Sequence, residues 1–226
     1  SLLPGEILLE AKCLGDAARK LALLCAVLHT TNAGQVAVQC TGQGLIGQQA
    51  VVAMNYLGLE FGSRTQGRGF GDKVFVTYAD ESLTFDAFFD QVDRFANYLV
   101  NKLQVARGDR VAIAMRNYPE WMAAYVAIVS IGAIVVPLNS WGRGDELEYT
   151  LTDAGARVVV CDQQRLDSIA DRLERLSLTA IVARAVNSSD CDRVVNWETT
   201  QASAAELPDA DISPGDLAMI MYTSGT

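Results

Sequence analysis

The chain has 226 residues, half of them hydrophobic and one fifth charged, a composition that supports a buried core and excludes disorder as the main state. Eighteen basic against 27 acidic side chains give a net charge of −9 with no basic cluster, which argues against nucleic acid as a partner. The apolar run Leu21 to Leu28 has eight residues, and no run approaches the about 20 that cross a bilayer, so no transmembrane segment is expected.

That run follows Arg19 and Lys20 in the outline of a signal peptide, but eighteen residues precede Arg19 and no small-residue cleavage site follows it. Five cysteines (Cys13, Cys25, Cys40, Cys161, Cys191) form no C-x-x-C pair, and a chain of this length needs no disulfide staples; unpaired thiols in a reducing cytoplasm fit this usage. The single histidine, His29, leaves no basis for a His-based metal site or a Ser-His-Asp triad, and it reads as a partly buried helix-end residue.

Residues 1–70 carry 5 basic and 4 acidic side chains, residues 71–226 carry 13 and 23, so the charge changes sign near residue 70. The join falls in the glycine-rich stretch 62–71, which reads as a linker. Before it, Gly42, Gly44 and Gly47 make a formal G-x-G-x-x-G, with Val36–Cys40 as a possible preceding strand, Gln48–Tyr56 as a following helix and Glu60 eighteen residues past Gly42. Helix and second strand do not both fit between Gln48 and Glu60, so the dinucleotide reading fails on its own context. A helical extension or a stretch of unrelated or frame-shifted sequence is the remaining reading, and these residues are expected to pack loosely on the rest or separately from it.

After residue 71 the elements alternate. Val74–Tyr78 and Ser82–Thr84 read as strands around a turn at residues 79–81. Phe85, Phe88, Phe89, Val92, Phe95, Ala96, Leu99 and Leu103 recur at three- and four-residue spacing, which predicts a helix packing one apolar stripe on a sheet. The turn Arg107-Gly108-Asp109 leads to a strand over Val111–Met115, Pro119 opens a helix to Ile131, and Gly132 ends it. A strand over Ile134–Leu138, a helix over Asp145–Ala154, a strand over Arg157–Cys161, a helix over Leu166–Leu176 and a strand over Thr179–Val182 follow. Residues 187–211 read as irregular. This order predicts the α/β class: a mostly parallel sheet with flanking helices on both faces.

Leu217–Tyr222 reads as a last apolar strand running into Thr223-Ser224-Gly225-Thr226. Glycine lets backbone N–H groups turn inward and the hydroxyls add donors, so such a loop can wrap phosphate oxygens. The same composition also makes an ordinary turn. The surroundings favour the phosphate reading, because 217–226 resembles the first part of the AMP-binding signature of the adenylate-forming superfamily. Ser82-Leu83-Thr84-Phe85 with its amphipathic helix, the block 105–113, and 127–139 with Gly132, Ala133, Pro137 and Asn139 resemble that superfamily's N-terminal blocks in the same order. Met115-Arg116-Asn117-Tyr118-Pro119-Glu120-Trp121 resembles acyl-CoA synthetases more than peptide-synthetase adenylation domains or luciferases.

The resemblance implies an incomplete N-terminal domain of the adenylate-forming synthetase fold over residues 71–226, and an acid:CoA ligase acting in two steps. A carboxylic acid, expected to be a fatty acid, would attack ATP to give acyl-adenylate and pyrophosphate, and coenzyme A would then displace AMP, with Mg2+ neutralising charge on the pyrophosphate. It implies that Thr223, Ser224, Gly225 and Thr226 contact the β- and γ-phosphates, with Tyr222 packing the base of the loop. No catalytic residue and no metal ligand is assigned on these residues. Asp109, Gly132 and Pro137 are read as scaffold. The rest of the phosphate loop, the acids that hold ribose and metal, and the C-terminal domain with its lysine are not in the sequence, and with Ser1 at the start the chain reads as a fragment inactive alone. The alternatives are a non-catalytic truncated or interaction module, or another adenylate-forming member.

Overall fold

The computed structural model describes residues 71–139, 141–187, 191–212 and 216–222, together with the backbone of 8–9 and 49–52. Among the described residues, ten strands lie in two sheets. In the smaller, β1 (Leu8–Leu9), β3 (Val74–Tyr78) and β4 (Glu81–Thr84) are antiparallel. The β3–β4 hairpin turns through Ala79 at φ 52° and feeds directly into α1 (Phe85–Asn101), because Thr84 Oγ1 accepts the Ala87 N–H at 3.1 Å and caps the helix.

The larger sheet has the order β2-β10-β6-β5-β7-β8-β9. Its strands are β2 (Gln49–Val52), β5 (Arg110–Ala114), β6 (Ile134–Pro137), β7 (Val158–Asp162), β8 (Thr179–Ala183), β9 (Val194–Asn196) and β10 (Met219–Tyr222). Every neighbouring pair is parallel except the edge pair β2–β10. The crossovers carry α2 (Pro119–Ser130), α3 (Gly144–Ala154) and α4 (Gln163–Ile169, tightening to a 3-10 turn over Ala170–Arg172), and α5 (Trp197–Thr200) follows β9. The expected mostly parallel α/β architecture is the one observed.

Alternation along the strands sends side chains into two cores. Val111, Ile113, Val135, Val160 and Ile181 face α1, α2 and Trp197, while Ala112, Val136, Val159, Cys161 and Val182 face α3 and α4. The predicted stripe Phe88, Phe89, Val92, Phe95, Ala96 and Leu99 is fully buried. Its main neighbours are α2 and the small sheet, not the parallel one, and this explains why α2 is apolar all round: α1 covers the side that the sheet does not. Phe75 packs on Phe85 at 4.5 Å and on Phe88 at 4.9 Å, and Phe95 on Trp197 at 4.6 Å.

Three expectations change. The helix read from Leu166 starts at Gln163, because the Asp162 carboxylate accepts the Arg165 N–H at 3.1 Å and caps it at the end of β7. Residues 187–211 are not wholly irregular: they hold β9 and α5, a three-residue strand too short to show alternation and held by its register with β8. The segment read as a helix over 48–56 is a strand at 49–52, and with β1 it joins an edge of each sheet, so the first seventy residues contribute to both. The glycine motif at Gly42, Gly44 and Gly47, His29, Cys13, Cys25 and Cys40 lie outside the described residues.

Candidate functional site

Ligands of open parallel sheets bind outside the carboxyl ends of the strands, where the chain connections part to opposite faces. From β5 the chain leaves over one face through α2 to β6, whereas from β7 it leaves over the other through α4 to β8, so the division lies between β5 and β7. There the Arg116 backbone N–H donates to Asp162 Oδ2 at 3.1 Å, and the Arg165 guanidinium contacts both Asp162 oxygens at 3.2 Å. Asp162 and Arg165 are 5% and 4% exposed, a buried pair that closes the crevice floor. Beside it the Arg116 guanidinium lies 4.4 Å from the centre of the Trp141 ring, which is 64% exposed. Asn139 Oδ1 accepts the Trp141 N–H at 3.0 Å and shapes the turn after β6.

At the end of β8, Arg184 takes φ 53°, a left-handed conformation that costs a non-glycine residue about 1 kcal/mol. Its guanidinium donates to both Glu81 oxygens at 2.9 and 2.7 Å, pairs with Glu120 at 3.1 Å, and lies 5.1 and 4.9 Å from the Tyr78 and Tyr118 rings. The hydrogen bond from Arg184 holds the Glu81 carboxyl below the usual range, and the same bond raises Arg184 further above its own. Burial, reinforced by the Asp162 charge, raises the Tyr118 phenol. Burial raises the Cys161 thiol, which is inert by that measure.

The strand that leads to the predicted phosphate loop is β10. Asp216, just before it, accepts from Arg107 at 2.6 Å; the Val135 N–H donates to Ala218 O at 2.9 Å; and Tyr222 Oη donates to Asp153 Oδ2 at 2.6 Å. Tyr222 packs against the α3 side of the sheet. Thr223, Ser224, Gly225 and Thr226 lie outside the described residues. The blocks read as scaffold have turn and capping contacts. Gly108 and Gly132 take φ 83° and 72°, the Gly108 N–H donates to Gly132 O at 2.8 Å, and Asp109 accepts from the Ala106 N–H at 3.0 Å and pairs with Arg157 at 2.9 Å.

A groove of about 550 Å3 runs along α3, lined by Asp145, Glu148, Tyr149, Thr152 and Asp153. Its three carboxylates repel phosphate, and Asp145 and Glu148 are paired with Arg172. The described residues hold no group of three acids, histidines or cysteines placed to take a metal. Mg2+ bound chiefly through nucleotide phosphates and water needs no such cage. Sequence reading missed the Tyr222–Asp153 and Arg116–Asp162–Arg165 contacts. Their partners are 69 and 46 residues apart, and no local pattern announces them.

The profile of the family described as "AMP-binding enzyme" matches residues 63–226. A 3-hydroxybenzoate–CoA/4-hydroxybenzoate–CoA ligase of Thauera aromatica is 28% identical over 166 residues, 72% of this chain and 31% of that protein. A medium/long-chain-fatty-acid–CoA/3-oxocholest-4-en-26-oate–CoA ligase of Mycobacterium tuberculosis is 30% identical over 159 residues, 69% of this chain and 29% of that protein. Among solved structures, coronafacic acid ligase from Pectobacterium brasiliense superposes with a TM-score of 0.67 at 22% identity, over 72% of this chain and 33% of that one, which shows the same fold. The chain thus spans about a third of the length of the curated relatives it matches.

Proposed function

The chain belongs to the AMP-binding enzyme family, and from that membership we propose that it is the N-terminal portion of an ATP-dependent acid:CoA ligase that activates a fatty acid. In the first step a carboxylate oxygen forms a bond to the α-phosphorus of ATP as the bond to the bridging oxygen breaks, releasing pyrophosphate. In the second, the thiol of coenzyme A adds to the acyl carbonyl carbon and loses its proton, and AMP leaves with the electron pair of the broken C–O bond. Mg2+ supplies charge neutralisation on the departing pyrophosphate. The proposal assigns Thr223, Ser224, Gly225 and Thr226 to the β- and γ-phosphates of ATP.

The observation that carries this reading is β10: a parallel strand held in register on β6, anchored before its start by Asp216–Arg107, whose last residue immediately precedes that Thr-Ser-Gly-Thr segment. A loop leaving the carboxyl end of such a strand is where this class of sheet binds anions. Residues 1–70 are proposed as an extension outside the ligase domain, joined to it at sheet edges, and the protein is placed in the cytoplasm. Among the described residues Cys161 is a buried free thiol, and no helix is long and apolar enough to cross a membrane.

Pyrophosphate exchange into ATP, driven by fatty acids of graded length, tests the first step without needing coenzyme A. The 226 residues alone should give no measurable exchange, because positioning contributes ~7 to 11 kcal/mol of barrier lowering only when the whole constellation is present. The protein expressed from its full reading frame should exchange and then form acyl-CoA. Exchange from the 226 residues alone refutes the assignment of inactivity; none from the full product with any carboxylate refutes the ligase reading; exchange with aromatic acids alone refutes the fatty-acid assignment.

A further inference from the structure

We propose that the outer edge of β10 is a strand-acceptor site for a second copy of this chain, and that residues 49–52 hold the site closed from within. The inference concerns association and does not depend on the adenylation reading above. Every residue of β10 is paired with β2: Met219 with Val52, Ile220 with Val51, Met221 with Ala50 and Tyr222 with Gln49. On the inner side the register with β6 is set at Met219 and Val135. Most of the strand's pairing therefore lies on the side that β2 covers. That covering strand precedes the glycine-rich stretch 62–71 and stands outside the succession of crossovers that builds the parallel sheet. The same region supplies β1, which covers β3 through the pairs Leu8–Thr77 and Leu9–Val76.

The parallel strands end on β9 at one side and on β10 at the other, and the two edges differ in chemistry. β9 has three residues, with exposed Asp192 and half-buried Arg193 just before it and exposed Asn196 at its end. Short length and flanking charge blunt an edge against further pairing. β10 reads Met-Ile-Met-Tyr, with no charge, proline or glycine. An edge of that composition is a template for another strand whenever its backbone groups are open. Direction identifies the partner. β2–β10 is the one antiparallel pair of this sheet among the described residues. A two-fold axis normal to a sheet, beside its edge strand, sets that strand antiparallel to its own copy, and two-fold dimers are the commonest assemblies. β10 of a second copy therefore approaches in the direction that β2 already takes, and one edge cannot hold both. The strand within the chain prevails in dilute solution because its effective concentration is fixed by the connection.

The test uses the 226-residue chain, with mass from light scattering over a dilution series, hydrogen exchange of the segment 217–222, and far-ultraviolet circular dichroism to follow folding. Inward N–H groups of an antiparallel ladder belong to alternate residues, so Ala50→Pro/Val51→Pro removes an inward donor whichever of the two carries it. This double variant should keep the parent's spectrum and run at twice the parent's mass where the parent is monomeric. Diluted to the monomer, it should lose exchange protection over 217–222. Ala50→Thr/Val51→Thr keeps both donors in residues suited to strands and should behave as the parent does. A synthetic peptide of residues 48–53 should return the proline variant to monomer, and the same peptide carrying both substitutions should not. A proline variant that stays monomeric with the parent's protection overturns the inference, as does a parent that is already dimeric or unprotected over 217–222. Open-ended aggregates that the peptide fails to reverse, or loss of the parent's spectrum, mark β2 as part of the core and also overturn it.

Discussion

The carboxyl ends of β8 and β10 are both fixed by polar side chains, in contrasting ways. At β8 the Arg184 guanidinium is enclosed by two carboxylates and two aromatic rings, and it ties the β3–β4 hairpin and α2 to the parallel sheet. Its donors are directed inward and its charge is answered within the cluster, which leaves little for a ligand. At β10 the link from Tyr222 to Asp153 constrains the backbone where it departs. Polar residues at the first end lock two layers together. At the second, one bond ties the last residue of β10 to α3. Strand ends of one sheet can thus be held by a closed cluster or by a single contact.

The largest expected effect sharpens this contrast from between the two ends. Asp162→Ala removes the partner of the buried Arg165 and the cap of α4 together, and should cost about 3–5 kcal/mol in urea unfolding, against under 1 kcal/mol for exposed acids such as Asp80. A loss near zero would mean that Arg165 finds water, and that the crevice floor is open. Next, Arg184→Ala should cost about 1–2 kcal/mol, because Glu120 is left half-buried without its cation; the figure is kept low for the exposure of Glu81.

A pH series extends the Arg184 comparison. The folded-state pKa of Glu81 is depressed, so its contribution is present above the ordinary carboxylate pKa and lost as pH falls through the lower folded value. The wild type should therefore lose slightly more stability than Arg184→Ala between about pH 5 and pH 3. Parallel acid limbs would show that the cluster is screened by solvent. The smallest stability effect is expected at the other end, where Tyr222→Phe should cost under about 1 kcal/mol in the same unfolding assay. A cost as large as that of Arg184→Ala would make the two ends alike, both structural.

Periodicity carried most of the architecture. The α1 stripe and the Pro119 start of α2 are local signals, and each names its element without reference to the rest of the chain. Three kinds of feature were illegible. The strand β9 exists through its register with β8 and is too short to carry a period of two. The start of α4 depends on a strand-end aspartate that also serves Arg116, a contact 46 residues away. The Arg184 cluster joins residues 103 and 64 positions apart, and nothing near Arg184 in the sequence marks it as a clamp.

By itself the sequence determined most of the strands and helices after residue 71, β9, α5 and the start of α4 excepted, and which faces they bury, because hydrophobic spacing is a property of consecutive residues. It also determined the order Leu217–Tyr222 then Thr-Ser-Gly-Thr, on which the nucleotide reading depends. Only the tertiary structure decided that α1 covers α2, that pieces of the first seventy residues form sheet edges, and that Tyr222 meets Asp153. The reason is physical: crossover connections in a parallel sheet bring together residues dozens of positions apart, and a hydrogen bond a few ångströms long can be recognised only after those crossovers have placed its donor and acceptor.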